Sequence, residues 1–158
     1  MSNKRVKPVA GLQVVAATVS DAALLAQLHA TSFPAPWTEE DFALFLRQPG
    51  MAAWAAGYEN PSGFILVRSA GEEAEILTIA VAPPARRHGV GRILLRHAQE
   101  QLRGLGVASL FLEVATNNQA ALGLYNVLGF VVCGKRRNYY RNTVNASGND
   151  ATVMRCDL

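Results

Sequence analysis

A glycine-spaced basic run, two glutamates set in apolar stretches, a tyrosine and a pair of asparagines are the groups here whose types and spacing could do chemistry. In "VAPPARRHGVGRILL" the glycines Gly89 and Gly91 alternate with other residues, so successive backbone N–H groups can approach a ligand closely. They do so where an amphipathic helix starts, and a helix N-terminus favours anions. Arg87, His88, Gly89, Val90, Gly91 and Arg92 therefore outline a phosphate cradle, with a plain helix-start turn as the alternative. No G-K-[ST] follows, which excludes a nucleotide P-loop; the single G-x-G with no acidic ribose ligand argues against a dinucleotide fold. Glu113 interrupts "SLFLEVA" and, on a strand, shares a face with Phe111 and Ala115 rather than with Leu110, Leu112 and Val114. A carboxylate among apolar neighbours is costly without a partner or a task, so it is either a reactive acid or a strand-end glutamate reaching an arginine or water. Glu75, opening "EILTIAV", is an acid beside a cleft or part of a solvated turn. Tyr125 lies on a helical apolar stripe, the place of a core tyrosine, and Asn117 and Asn118 precede that helix as caps would.

The elements that would position these groups follow from periodicity. Gln13 to Thr18 reads as a strand and Asp21 to Ser32 as a helix; the loop "FPAPW" follows. Thr38 before "EEDF" has the pattern of a capping box, and Phe42, Phe45 and Leu46 form a helical stripe behind it. Met51–Tyr58, Gly63–Ser69 and Glu73–Val81 read as an antiparallel meander, joined by the turn signals "ENPSG" and "AGEE". His88 to Leu105 is a helix with Ile93, Leu94, Ala98, Leu102 and Leu105 on its apolar face and Gln99 on its polar one. Ser109–Ala115 is the next strand, so strand, helix and strand make a right-handed crossover between parallel neighbours. A helix over Asn118–Leu128 and strands over Phe130–Tyr139 and Ala151–Asp157 complete a mixed α/β sheet.

Composition bounds the function classes. With 158 residues, half of them hydrophobic, the chain suits one domain spanning 1–158, residues 1–11 being a flexible basic tail. No apolar run reaches the roughly 20 residues of a bilayer span, and no signal-peptide core follows Lys4, Arg5 and Lys7, so a cytoplasmic protein without membrane partners is expected. Cys133 and Cys156 have neither metal-ligand spacing nor a neighbouring histidine; both read as reduced strand residues, and no metal is expected. The net charge of +3 hints at an anionic partner, although that N-terminal trio alone could account for it; direct nucleic-acid binding is not expected. The arginines around Arg86–Arg103 and Lys135–Arg141 are otherwise solvated faces.

Glu75 to Phe130 resembles the GNAT superfamily of acetyl-CoA-dependent N-acetyltransferases, with "ILTIAV" as the strand lying along the pantetheine arm and "RRHGVG" as the [RQ]-x-x-G-x-[GA] pyrophosphate loop. "FPAPWTEEDF", "LEVATNNQAALGLYNVLGF", "RRNYY" and "DATVM" resemble, more narrowly, its ribosomal-protein-alanine branch. The resemblance implies a single-domain α/β fold, with a mixed, mostly antiparallel twisted sheet of about seven strands, a central splayed parallel pair and about four flanking helices. It implies acetyl-CoA as cosubstrate, held by the main chain of Ile79, Ala80 and Val81, by Arg87–Arg92 and by Asn118, with an N–H near Val81 polarising the thioester carbonyl. Glu113 matches the family's base and Tyr125 its general acid; Glu75 matches the base of histone-type members and stays a second candidate. With no matching cysteine, direct attack in a ternary complex is expected rather than an acetyl-enzyme.

The acceptor implied is the N-terminal alanine of a small-subunit ribosomal protein. An α-amino group of pKa about 8 costs roughly 1 kcal/mol to deprotonate at pH 7, and a lysine of about 10.4 roughly 5. Phe33–Trp37, Tyr139 and Tyr140 match segments flanking the peptide slot, with edge packing as the plainer reading; Glu39, Glu40 and Asp41 either attract a basic substrate or complement a helix dipole. "FPAPW" is two residues longer than the family's "FPW", and "YYRNTVNASGNDA" is a longer polar loop, both on the substrate side. Other readings are a GNAT enzyme for a different amine, such as a small molecule or lysine, and a non-catalytic acyl-CoA-binding or peptide-binding module.

Overall fold

The computed structural model describes residues 11–137 and 150–158. Most of the expected basic tail, together with Tyr139, Tyr140 and the polar loop after them, lies outside these residues. Among the described residues seven strands are hydrogen-bonded in the order β1-β2-β3-β4-β5-β7-β6, and the chain divides into two compact units.

The first unit comprises the chain up to Val67 together with Thr78–Ala98. Strand β1 (Val14–Ala17) pairs antiparallel with β2 (Met51–Ala56), from Val14↔Ala56 to Ala17↔Ala53. Helix α1 (Ala22–Ala30) follows a single 3₁₀ turn, Val19–Asp21, so it starts one residue and ends two residues inside the expected bounds. Helix α2 (Glu39–Arg47) begins with the capping box its sequence announces: the Asp41 N–H donates to Thr38 Oγ1 at 3.2 Å and the Thr38 N–H donates to Asp41 Oδ2 at 2.8 Å. Most of β3 (Gly63–Ala70), the end of β4 (Glu73–Val81) and the start of α3 (Val90–Gly104) complete this unit around a core that includes Leu25, Phe42, Phe64, Leu66, Leu94 and Leu95.

The second unit comprises Arg68–Leu77 and Gln99–Leu158. Strand β4 pairs in parallel with β5 (Ser109–Ala115) over Glu73↔Ser109, Ala74↔Leu110 and Glu75↔Phe111, as the crossover requires. Strand β4 then runs on to Val81 and β5 to Ala115, past the last parallel pair. Strand β5 is paired along its length with β7 (Ala151–Asp157), and β6 (Val131–Arg136) borders β7 with a bulge between Val132 and Gly134, where Cys133 is the extra residue. Helix α4 (Gln119–Val127) packs Tyr125 inward, its C-cap Leu128 is buried as well, and the largest core side chains include Leu102, Leu110, Phe130 and Met154. Cys133 is exposed and Cys156 buried, and both are free thiols.

Two assignments on α3 are corrected. Leu105 is 73% exposed rather than part of the apolar face, because the helix ends at Gly104 before that face is completed. Gln99 is buried rather than solvated: its Nε2 donates to the Leu128 carbonyl at 3.0 Å, satisfying an acceptor that the end of α4 leaves without a helical partner.

Candidate active site

In the first unit the basic run folds as an open turn ahead of α3. Arg87 has φ 63° and Gly89 φ 84°, two left-handed residues that delay the helix to Val90, two positions after the expected start. The first intrahelical bond there, from the Ile93 N–H to the Gly89 carbonyl at 3.0 Å, leaves the N–H groups of Val90, Gly91 and Arg92 ahead of it with no intrahelical acceptor. Alternating left- and right-handed residues turn such groups into a shared concavity. A Cβ on Gly89 would meet nothing within 4 Å, so the turn faces open space, and it contains no carboxylate. These residues fit a pyrophosphate. The left-handed arginine costs about 1–2 kcal/mol, a strain that concentrates where a ligand is held.

The end of β4 is fixed from several sides. Ile79 and Val81 are half-exposed, whereas Thr78 and Ala80 face the core, where Thr78 Oγ1 meets no partner among the described residues. A Cβ on Gly63 would lie 2.8 Å from the Ala80 carbonyl oxygen and 3.2 Å from a Val90 methyl, so only glycine allows β3 this close to the strand. The Ala82 N–H donates to the Ser62 carbonyl at 2.8 Å. On the other end of the same peptide unit, the Val81 carbonyl accepts from Arg86 Nε at 3.0 Å. Arg86 was not among the site residues singled out from sequence. It stands first in the loop signature, and type alone reads it as one more cation for the phosphates.

The loop "FPAPW" is anchored by a residue that carried no sequence signal. His29, 3% exposed at the end of α1, stacks on Phe33 at 4.2 Å and on Trp37 at 4.8 Å, meets Phe42 edge-on, and accepts the Trp37 N–H through Nδ1 at 3.1 Å. Burial holds its pKa below the ordinary 6.5. The neutral ring, with Nδ1 unprotonated, is the form that this bond requires.

In the second unit Glu75 and Glu113, the two candidate bases, line one groove of about 390 Å³ with Arg68, Glu73, Phe111 and Val153. Each carboxylate has a guanidinium partner: Arg68 Nη2 lies 3.1 Å from Glu75, and Arg136 Nη1 lies 2.9 Å from Glu113 Oε1. Glu113 is the more enclosed, its side chain 20% exposed against 42% for Glu75. It faces as the alternation of β5 predicts, with Phe111 and Ala115. Tyr125 is buried at 7% exposure, its ring edge-on to Phe130 at 5.7 Å. Asn118 caps α4, its Oδ1 accepting the Ala121 N–H at 3.2 Å, which leaves its amide N–H₂ as the donor for any ligand. Asp41 is engaged in the α2 capping box, which accounts for it without a substrate.

A short parallel β4–β5 pairing, an open turn before α3 and a carboxylate on β5 are features expected of an acyl-CoA-dependent acetyltransferase. The chain belongs to the acetyltransferase (GNAT) family, whose model matches residues 22–130, and it is an acetyl-CoA-dependent N-acetyltransferase. Within that family it is similar to the ribosomal protein bS18-alanine N-acetyltransferase of Escherichia coli (strain K12), 37% identical over 119 residues that cover 75% of this chain and 79% of that one. It is also similar to the N-alpha-acetyltransferase RimI of Mycobacterium tuberculosis, 39% identical over 151 residues and 90% of each chain. The crystal structure of the ribosomal-protein-S18-alanine N-acetyltransferase from Escherichia coli superposes with a TM-score of 0.83 at 30% identity, covering 92% of both chains. Among the described residues no helix is long and apolar enough to cross a membrane, and no cluster of metal-ligating side chains occurs.

Proposed function

We propose that this enzyme transfers the acetyl group of acetyl-CoA to the N-terminal alanine of a small-subunit ribosomal protein, by direct attack of the α-amine on the thioester. The likeness to the bS18-alanine N-acetyltransferase of Escherichia coli over 75% of the chain carries this reading, and the likeness to an N-alpha-acetyltransferase over 90% of it agrees. Arg87–Arg92 and the N–H groups at the start of α3 hold the pyrophosphate, and the main chain of Ile79, Ala80 and Val81 takes the pantetheine amides. Asn118 adds a contact through its amide N–H₂. Glu113 removes a proton from the ammonium through a water, the nitrogen lone pair forms the C–N bond and the nitrogen then sheds its second proton to solvent, the C–S bond breaks, Tyr125 protonates the departing thiolate, and the Tyr125 phenolate regains a proton from solvent. An N–H near Val81 stabilises the oxyanion present between C–N bond formation and C–S bond cleavage. The groove shared by Glu75 and Glu113 makes Glu75 the alternative base.

Acetyl-CoA mixed with N-terminal ribosomal peptides, followed by mass spectrometry, tests the assignment. Glu113→Gln and Tyr125→Phe should each slow transfer, since a positioned acid or base contributes about 10²–10⁴-fold. If neither substitution slows it, these roles are wrong. Acetylation of a small amine with no transfer to any α-amine peptide would instead support an enzyme for another acceptor.

A further inference from the structure

Arg86 precedes the phosphate turn in sequence, yet its guanidinium is committed elsewhere. Nε donates to the Val81 carbonyl at 3.0 Å, while Nη2 donates to Ser32 Oγ at 3.0 Å and to the Thr31 carbonyl at 3.4 Å. One side chain thus joins the last peptide of β4 to the start of the loop that runs from α1 through Phe33 to Trp37. Both attachment points are rigid. The Val81–Ala82 peptide unit is already held at its N–H by Ser62, and the loop is clamped at its far end by His29. Thr31 Oγ1 further donates to the Leu28 carbonyl at 2.6 Å, fixing the exit from α1.

We infer that Arg86 is a positioning residue, not a phosphate ligand: it ties the Ser32–Trp37 loop to the end of β4, so that the acceptor-side loop and the thioester-polarising backbone keep one arrangement. This rests on the proposed function, in which the Val81 N–H faces the thioester, and on the resemblance by which Phe33–Trp37 match a segment flanking the acceptor peptide. The geometry requires arginine. A guanidinium presents donors on separate nitrogens in a planar fork, whereas an ammonium is a single point that keeps the charge and loses the span. A misplacement of about 1 Å at a reacting centre is enough to cost about 100-fold, so a tie of modest energy has kinetic consequences.

Arg86→Lys, Arg86→Ala and Ser32→Ala, each in the full chain, separate the possibilities. Both Arg86 variants should raise KM for the acceptor peptide by about tenfold and lower kcat as well, since about 1 Å of misplacement at a reacting centre costs up to about 100-fold. Their CoA dissociation constant, measured by calorimetry, should be unchanged. Ser32→Ala should show part of the same effect and add nothing on top of Arg86→Ala. Amide exchange over residues 31–37 should quicken in all of them. Wild-type behaviour of Arg86→Lys beside an impaired Arg86→Ala would show that charge alone matters and overturn the inference. Weakened CoA binding with unchanged acceptor KM, or unaltered exchange over 31–37, would overturn it too. Failure of the wild-type enzyme to acetylate any α-amine peptide would refute the functional reading instead, leaving amide exchange and CoA titration to decide the role of Arg86.

Discussion

Glu113 carries the heaviest chemical assignment, and its surroundings separate it from Glu75. Both carboxylates face the same groove and both touch an arginine, but Glu113 is the less exposed and sits beyond the last parallel pair of β4 and β5, on the stretch of β5 that pairs with β7. Glu113→Gln should therefore reduce kcat by at least about 100-fold, with Glu75→Gln within a few-fold of wild type in the same steady-state assay. The reverse order would move the base to Glu75. Arg136 orients Glu113 through a half-exposed ion pair, a kind of contact that contributes less than about 1 kcal/mol to stability. Arg136→Gln should accordingly leave the thermal midpoint nearly unchanged while lowering kcat. The two thiols differ for an equally local reason. Burial and the neighbouring Asp157 hold the Cys156 thiol above its ordinary pKa, although its contact with Gln99 works in the opposite direction, whereas Cys133 protrudes at the β6 bulge.

At the level of elements, the loop between α1 and α2 depends on a neutral His29. Its pKa is lowered by burial, so between that value and 6.5 the unfolded chain binds a proton that the folded one refuses. Stability from this group is complete above pH 6.5 and declines as the pH falls through that window. Thermal midpoints recorded from pH 7.5 down to about 5 should fall in the wild type, and fall less in His29→Asn, whose side-chain oxygen can accept the Trp37 N–H without titrating. Equal slopes would place the sensitivity elsewhere. The turn before α3 lends itself to a complementary substitution. Arg87→Gly relieves a left-handed arginine, offsetting the extra backbone freedom of glycine, so stability should hold within about 1 kcal/mol. CoA affinity should fall by about tenfold with the loss of a charge-assisted contact. Gly63→Ala should do the opposite, destabilising the fold because its Cβ meets the Ala80 carbonyl oxygen at 2.8 Å, a backbone atom that cannot swing aside.

Across the whole molecule, what was legible in the sequence is what local periodicity encodes. Strands β4, β5 and β7 fall on their expected residues, β4 with a strict inside–outside alternation, and Thr38 with Asp41 announces α2. The turn before α3 is legible because its glycines, Gly89 and Gly91, lie close together in the sequence. Helix α3 begins later than its apolar period suggests because periodicity does not reveal that Arg87 and Gly89 are left-handed. Arg86, His29 and Gln99 were missed for a common reason: their roles lie in partners distant along the chain, such as Ser32 for Arg86 and Leu128 for Gln99, or in a loop whose path no period describes. The acceptor depends on such long-range placement as well, and it is where experiment bears hardest. The most direct test is to offer acetyl-CoA and a ribosomal-protein peptide that has an N-terminal alanine and an internal lysine, then locate the acetyl group by fragmentation mass spectrometry. Acetylation of the α-amine, strongly reduced by Glu113→Gln, is the predicted result; acetylation of the lysine, or of neither amine, would contradict the account.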